Sequence, residues 1–551
     1  MALGFELGEA RRNRLLRRVD WRFLLRDPQP AKTLCLADGA LHDAVSLISD
    51  QVVSGRAMDA ADADLAVAVN PDGATLRKAW AGLASDGWCY TEWHGLGSPG
   101  PAGIRRRLHA AGFAQVRCYT AWRSPDQCQL WLPLDAPGVR RFFRHRPFPF
   151  PSPLRRLRGH GARLVASMAW RVGAGRPICA VAQRLESPAA GAPATAAAPH
   201  QREPSGAPGA DPEPPFFETI RAEWNRWGLG DGRPQFAWAL ATGGRRSIAK
   251  VVGLVFTERN SRPRLVVKLA RVPESIAGLT REATALRALA AVGHAGFPGV
   301  PRFLFQSRVA DTTAVGQTAL SGLPLVGLVG RRTYRALAMA GTEWLAHLAN
   351  ATHAPAPVQR RRIEPVVAEF CECFAPLVGV DQARAMRDVA ARLESLPSVS
   401  EHRDFAPWNV FLMPDRQLAV LDWESSDLAG LPVLDLEFFL TFLALSLHGF
   451  GHAPRSTAEE QRFFRCHRDA MDPSTFAGRV HQECVALYCH RVGLGAELLH
   501  PLRLFGWMLH ARTEYERLVA DAGGPPGPPA LGRSVFLQFW REELRRCDRA
   551  P

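Results

Sequence analysis

Residues 187–215 read SPAAGAPATAAAPHQREPSGAPGADPEPP, and no other feature constrains the fold as much. A segment without one large apolar side chain cannot bury enough surface to offset the entropy of ordering its backbone. It reads as a flexible linker, partly stiffened by its prolines. The chain is therefore expected to consist of an N-terminal region at 1–186, the linker at 187–215 and a C-terminal region at 216–551. A length of 551 residues suits that division at about 100–200 residues per domain. With 47% hydrophobic and 22% charged residues, each region can build its own core. No internal repeat is visible.

The best candidate for a membrane span, Leu431 to Phe450, carries Asp435 and Glu437 and reads as a buried helix. The acids Glu6 and Glu9 and the lack of an apolar stretch with a cleavage site argue against a secretory signal. The eleven cysteines are odd in number and form no C-x-x-C pair. Cys371 and Cys373 are too close for a zinc clip, and Cys466-His467 with Cys484, Cys489 and His490 is a weaker reading than buried thiols of a reduced, cytoplasmic protein.

The net charge of +15 is concentrated, since Ala136 to Arg184 holds eleven arginines and neither acid nor lysine. A solvated basic face is weighed evenly there against binding of nucleic acid or anionic lipid, and no DNA partner is expected. Phe142, Phe143, Phe148, Phe150 and Trp170 lie among the arginines, so Arg140–Arg184 could make peripheral contact with an anionic membrane. Prolines 147, 149, 151 and 153 forbid one continuous amphipathic helix, and a basic loop packing on its own domain is the preferred reading.

The N-terminal region alternates strand and helix signals. Thr33 to Ala37, Asp64 to Val69, Trp88 to Glu92, Ala114 to Ala121 and Cys128 to Leu132 read as strands. Helical patterns follow Asp38-Gly39, run from Ala74 to Leu83 after Asn70-Pro71-Asp72-Gly73, and run from Gly103 to Ala111; Ser85-Asp86-Gly87 reads as a turn. Such alternation predicts an open, mostly parallel α/β sheet of Rossmann-like type. The order over residues 31–134 resembles the second half of a class I S-adenosylmethionine-dependent methyltransferase. That family grips its cofactor at a glycine-rich turn after the first strand, whereas the turn here, Ala37-Asp38-Gly39-Ala40, has a single glycine. The interval from Asp38 to Asp62 also leaves little room for the strand whose acidic end would hold the ribose. A degenerate scaffold or docking module is the preferred reading, with S-adenosylmethionine binding as the alternative.

The strongest signal is Ser400-Glu-His402-Arg-Asp404-Phe-Ala-Pro-Trp-Asn409, followed by the apolar Leu418 to Leu421 and Asp422-Trp-Glu424. The first segment is H-x-D-x-x-x-x-N, and the acid comes 18 residues after Asp404. This pattern resembles the kinase-fold phosphotransferases, and Asp-Trp-Glu in place of Asp-Phe-Gly resembles the aminoglycoside phosphotransferase and choline kinase family. The resemblance implies a two-lobed α+β domain, with an N-lobe at about 216–325 and a C-lobe at about 326–551. It further implies transfer of the γ-phosphate of ATP or GTP to a hydroxyl of a small molecule. Asp404 would be the base, His402 would brace the loop, and Asn409, Asp422 and Glu424 would serve Mg²⁺ and its waters.

Upstream, Thr242-Gly243-Gly244-Arg245-Arg246 lies between two strand patterns, where backbone N–H groups could cover phosphates. Lys268, in the apolar strand Arg264 to Leu269, would meet the α/β-phosphates, and Glu282 on the next helix would face it. The segment through Ala319 resembles the interlobe strand that meets the purine edge. Helical patterns then run from Ala336 to Cys547, and Asp435 would tie the metal loop to the next helix. Asp422-Trp-Glu runs into Leu434-Asp435 with no room for an activation segment, which argues against a protein kinase. The acceptor stays open between aminoglycoside, choline-like, amino-alcohol and sugar types, with Glu483, Glu514 and Glu516 as candidate partners for a cation. The alternatives are a catalytically silent or bifunctional scaffold, or a kinase acting on a glycolipid or polysaccharide precursor.

Overall fold

The computed structural model describes residues 8–54, 62–95, 98–122, 124–145, 177–185, 214–230, 234–244, 246–258, 260–292, 296–309, 311–355, 360–451, 454 and 456–547. The 187–215 segment up to residue 213, and the arginine-rich stretch between residues 146 and 176, lie outside them. The chain forms two compact units: one gathers the described residues up to 279 together with 304–319, the other takes 280–303 and everything from 320 onward.

The first unit contains, in chain order, α1 (Glu9–Arg18), β1 (Lys32–Leu36), α2 (Ala40–Val45), β2 (Gln51–Ser54), β3 (Ala63–Val69), α3 (Gly73–Gly82), β4 (Leu83–Trp93), α4 (Pro101–Ala110), β5 (Phe113–Ala121), β6 (Leu130–Pro133), α5 (Pro137–His145) and β7 (Ile178–Arg184). Then come α6 (Phe216–Glu223), β8 (Phe236–Ala241), β9 (Val251–Thr257) and β10 (Leu265–Leu269) and, after α7 (Ile276–Ala290), β11 (Phe303–Val309) and β12 (Thr312–Thr318). All twelve strands lie in one sheet, in the order β11-β12-β10-β9-β8-β6-β5-β7-β4-β3-β1-β2.

The sheet changes character along its width. β2, β1, β3 and β4 are parallel neighbours. β3 reads ADLAVAV and is buried nearly throughout, as a strand covered on both faces must be. The pairings β4-β7, β7-β5, β5-β6, β6-β8, β8-β9, β9-β10 and β10-β12 are antiparallel. The expectation of a mostly parallel sheet thus holds for four strands. Short turns such as those joining β5 to β6 and β8 to β9 can connect only antiparallel neighbours. β2 occupies the interval between Asp38 and Asp62 that had seemed too short for a strand. The expected turn at Ser85–Gly87 lies inside β4, where the register shifts and Asp86 takes φ 64°.

The strands before and after residues 187–215 meet at β6 and β8, where Leu130 pairs with Ala241 and Trp131 with Leu240. The joint continues past the strands: Thr242 donates its N–H to Gln129 O at 3.0 Å and its hydroxyl to Cys128 O at 3.1 Å. One apolar cluster runs beneath this joint and includes Trp21, Trp131, Trp238 and Val267. Trp21 stacks on Tyr90 with ring centroids 3.7 Å apart.

The second unit is mainly helical. It holds β13 (Leu323–Pro324), α8 (Tyr334–Thr352), α9 (Arg360–Cys373), α10 (Val380–Leu393), β14 (Val399–Glu401), β15 (Val410–Leu412), β16 (Leu418–Val420), β17 (Asp427–Gly430), α11 (Leu434–Leu447), α12 (Thr457–Met471), α13 (Phe476–Val492), α14 (Leu499–Ala522), α15 (Pro528–Leu531) and α16 (Val535–Cys547). β13, β15 and β16 form one small sheet, and β14 pairs with β17. α11, LDLEFFLTFLALSL, is apolar on all sides and runs through the core. Its Glu437 accepts from His481 Nε2 at 2.9 Å and Arg503 Nε at 2.8 Å. Burial works against the charge, but Arg503 and His481 outweigh it and hold the carboxyl at about 2. No helix among the described residues is long and apolar enough to cross a membrane.

Candidate active site

His402 to Asn409 form the loop between β14 and β15, and α11 holds it from behind. Asp435, in the first turn of that helix, accepts the N–H of His402 at 2.6 Å and that of Arg403 at 2.8 Å. The carboxylate is aimed by Val433, a buried β-branched residue at φ 69° whose N–H donates to Tyr488 Oη at 3.1 Å. A left-handed backbone at such a residue costs about 1–2 kcal/mol and persists only where the surroundings enforce it. Burial, with the charge of Glu401 nearby, pushes the Asp435 carboxyl up to about 7 in spite of its two N–H donors.

His402 is fully buried. Its Nδ1 accepts the N–H of Asp404 at 3.2 Å, so Nε2 carries the proton and donates to Leu421 O at 3.0 Å. Leu421 in turn donates its N–H to Asn409 O at 3.0 Å. The residue before Asp422 is therefore clamped on both sides by the loop, and Asp422 itself takes φ 72°. Asn409 donates through Nδ2 to Asp404 Oδ2 at 2.8 Å and to Asp404 O at 3.0 Å. That leaves the amide oxygen as the atom Asn409 can offer a cation. The carbonyl of Glu424 accepts from Arg281 Nε at 2.9 Å.

Arg403, at φ 61°, bridges Glu401 at 2.8 Å and Asp427 at 2.7 Å, and Arg362 takes the other oxygen of Asp427 at 2.6 Å. This network straps β14 to β17 beneath the loop. A cavity of about 660 Å³ opens beside Asp404. Arg281, Arg362, Arg403, Arg512 and Arg517 line one part of it. Phe438, His510 and Phe536 line another, with His510 stacked 4.4 Å from Phe438 and 5.1 Å from Phe536. Burial, with the charges of Arg403 and Arg517, lowers His510 to about 3, so this wall is uncharged near neutral pH. Of the acids read as partners for a cation, Glu483 pairs with Arg335 at 2.9 Å and lies outside this lining, whereas Glu514, which accepts from Ser534 at 2.5 Å, and Glu516 belong to it, as do Asp404 and Asp427. The α9 and α14 arginines carry no signal in the sequence, because nothing in their spacing relates them to the loop.

The other expected site residues stand as follows. Lys268 lies on β10, buried, between Val252 of β9 and Val315 of β12. Glu282 lies on α7 and is fully buried. Gly243 and Gly244 follow β8. A Cβ at Gly244 would come 2.1 Å from that of Ala249, so only glycine fits, whereas Gly243 faces open space. The N–H of Ala319 donates to Arg264 O at 3.1 Å, so this donor extends the β10–β12 ladder by one step. No cluster of three or more His, Cys, Asp or Glu poised for a metal occurs among the described residues. An Asn oxygen with one or two carboxylates fits a Mg²⁺ ion, which keeps waters and takes substrate phosphates.

No protein-family model and no curated protein matches this chain. Among solved structures it is similar to the aminoglycoside phosphotransferase APH(3'')-Id from Streptomyces rimosus in complex with ADP and streptomycin. The identity is 15%, covering 54% of this chain and 98% of that one, with a TM-score of 0.33. It is also similar to an aminoglycoside-3'-phosphotransferase of type VIII, at 19% identity over 46% of this chain and 98% of that one, with a TM-score of 0.27. A thermostable mutant of APH(4)-Ia in a ternary complex with ADP and hygromycin B matches at 13% identity over 55% of this chain and 93% of that one, with a TM-score of 0.33.

Proposed function

We propose that the second unit carries the catalytic groups of a Mg²⁺-dependent phosphotransferase, moving the γ-phosphate of ATP or GTP to a hydroxyl of a small molecule. The observation that carries this reading is the built loop: Asn409 donates through Nδ2 to Asp404 at 2.8 Å and keeps its amide oxygen to offer a cation, while His402 ties the same loop to Leu421, the residue before Asp422. Asn409 and Asp422 would hold Mg²⁺, which supplies positive charge against the phosphate oxygens. Asp404 accepts the proton of the acceptor hydroxyl as its oxygen bonds to phosphorus and the bond to the departing nucleoside diphosphate breaks. His402 and Asp435 fix the loop so that Asp404 needs no rearrangement. Lys268, Glu282 and the Gly243-Gly244 loop would serve the nucleotide, as would the segment after β12.

The acceptor would enter the cavity beside Asp404. Its lining mixes five arginines with Asp404, Asp427, Glu514 and Glu516 beside an uncharged aromatic wall, and Arg362 and Arg403 are already paired with Asp427, so it does not choose between a cationic and an anionic hydroxyl compound. For the N-terminal strands, the parallel order β2-β1-β3-β4 supports a Rossmann-like scaffold. At the carboxyl end of β4 the buried Glu92 is already taken by Arg18, Tyr90 and His94, which favours a scaffold over a cofactor-binding enzyme.

The test is nucleotide consumption with pooled cationic, neutral and anionic hydroxyl acceptors. Consumption is expected to need both acceptor and Mg²⁺, and to fall by about 10²–10⁴-fold in Asp404→Ala with its melting temperature retained. Absence of turnover in the wild type, together with no stabilisation by MgATP or MgGTP, rejects the reading in favour of a silent scaffold.

A further inference from the structure

The loop between β8 and β9, described at residues 242–244 and 246–250, is held by the N-terminal segment of the chain at several points. Glu9, in the first turn of α1, accepts both the N–H of Ser247 at 2.6 Å and its hydroxyl at 2.8 Å. Arg271, just past β10, donates to the carbonyls of Thr242 at 2.9 Å and Arg246 at 3.2 Å, at the start and the middle of the loop. Arg271 is in turn gripped by both oxygens of Asp20, at 3.0 and 2.9 Å, and this pair is wholly buried. Asn13 adds a longer contact of 3.5 Å to Gly244 O.

The grip comes from one side of the sheet. Successive side chains of a strand point to opposite faces. Val267 and Leu269 of β10 belong to the same apolar cluster as Leu15, Val19 and Trp21 of the N-terminal segment. Lys268, between them, therefore points to the face away from α1. A carboxylate on the α1 side does not stand where phosphates aligned with Lys268 would lie. It holds the loop from behind.

We propose that Glu9 is a positioning residue for the nucleotide: through Ser247 it fixes the 242–250 loop in the shape that receives the phosphates of the bound nucleoside triphosphate. The proposal rests on the phosphotransferase reading above. On this account the N-terminal segment is a working part of the nucleotide-binding sheet, and the charge-assisted bonds to Ser247 are the link between them.

The experiment compares full-length wild type with Glu9→Gln, Ser247→Ala and the double variant. It measures MgATP and MgGTP binding, the KM for nucleotide against kcat, and hydrogen exchange of residues 242–250 without nucleotide. Glu9→Gln is expected to raise the nucleotide Kd and KM about tenfold with kcat within about twofold, which is about 1.4 kcal/mol of coupling. It should also speed exchange in the loop, and the double variant should be no worse than either single one. An unchanged or lower KM in Glu9→Gln, with the wild type binding nucleotide normally, overturns the positioning role and leaves the phosphotransferase intact. Failure of the wild type to bind either nucleotide overturns both.

Discussion

Asp435 shows how much one carboxylate can organise. It takes two consecutive N–H groups of the loop that carries Asp404, and it reaches them because Val433 accepts a left-handed backbone. Its carboxyl stands at about 7, above the ordinary value of about 3.9 in an unfolded chain. The folded state therefore binds this proton more tightly than the unfolded state does. The stabilisation is fully present below about pH 4 and is lost as pH rises through 7. Melting temperatures of wild type and Asp435→Asn, followed from pH 5 to pH 8, should show a decline in the wild type that the variant lacks. Parallel curves would mean that Asp435 ionises without cost. Asn409 is a second case: its Nδ2 donates to both the carbonyl and the carboxylate of Asp404, and that pair of bonds fixes which way its amide oxygen faces.

Among the elements, α11 does most to position the loop, since its first turn carries Asp435 and its length forms the core of the second unit. A helix buried on all sides cannot leave Glu437 exposed, so α13 and α14 supply His481 and Arg503 to meet it. Removing one partner strands a buried charge, which costs about 3–5 kcal/mol. Arg503→Ala should show that loss in denaturant unfolding, while Arg335→Ala, which breaks the exposed pair with Glu483, should lose less than about 1 kcal/mol. Equal losses would remove the argument from burial.

At the scale of the molecule, the twelve-stranded sheet joins β-strands from both sides of residues 187–215. Trp131 sits at the joint, fully buried and paired with Leu240 of β8. Trp131→Ala should destabilise the first unit by about 3–5 kcal/mol. Hydrogen exchange should quicken in β8 and β9 as well as in β5 and β6, because one cluster lies beneath all of them. Loss of protection confined to β5 and β6 would show that the strands on either side of 187–215 behave separately.

Local pattern alone made much of this protein legible. The five-residue step from Asp404 to Asn409, the apolar strand before Asp422 and the helices from Tyr334 to Cys547 can be read because loops, strands and helices impose their own periods on neighbouring residues. The short β2, the β7 strand behind the arginine-rich stretch and the parallel-to-antiparallel change in the sheet could not be read that way. Nor could the arginine wall built from α7, α9 and α14, or the grip of Glu9 and Asp20 on a loop more than 200 residues away. These depend on which surfaces meet once the chain is compact, and contacts between distant segments leave no spacing in the sequence. The chemistry of the loop was therefore written locally, while the groups that hold it and shape its cavity were decided by tertiary packing.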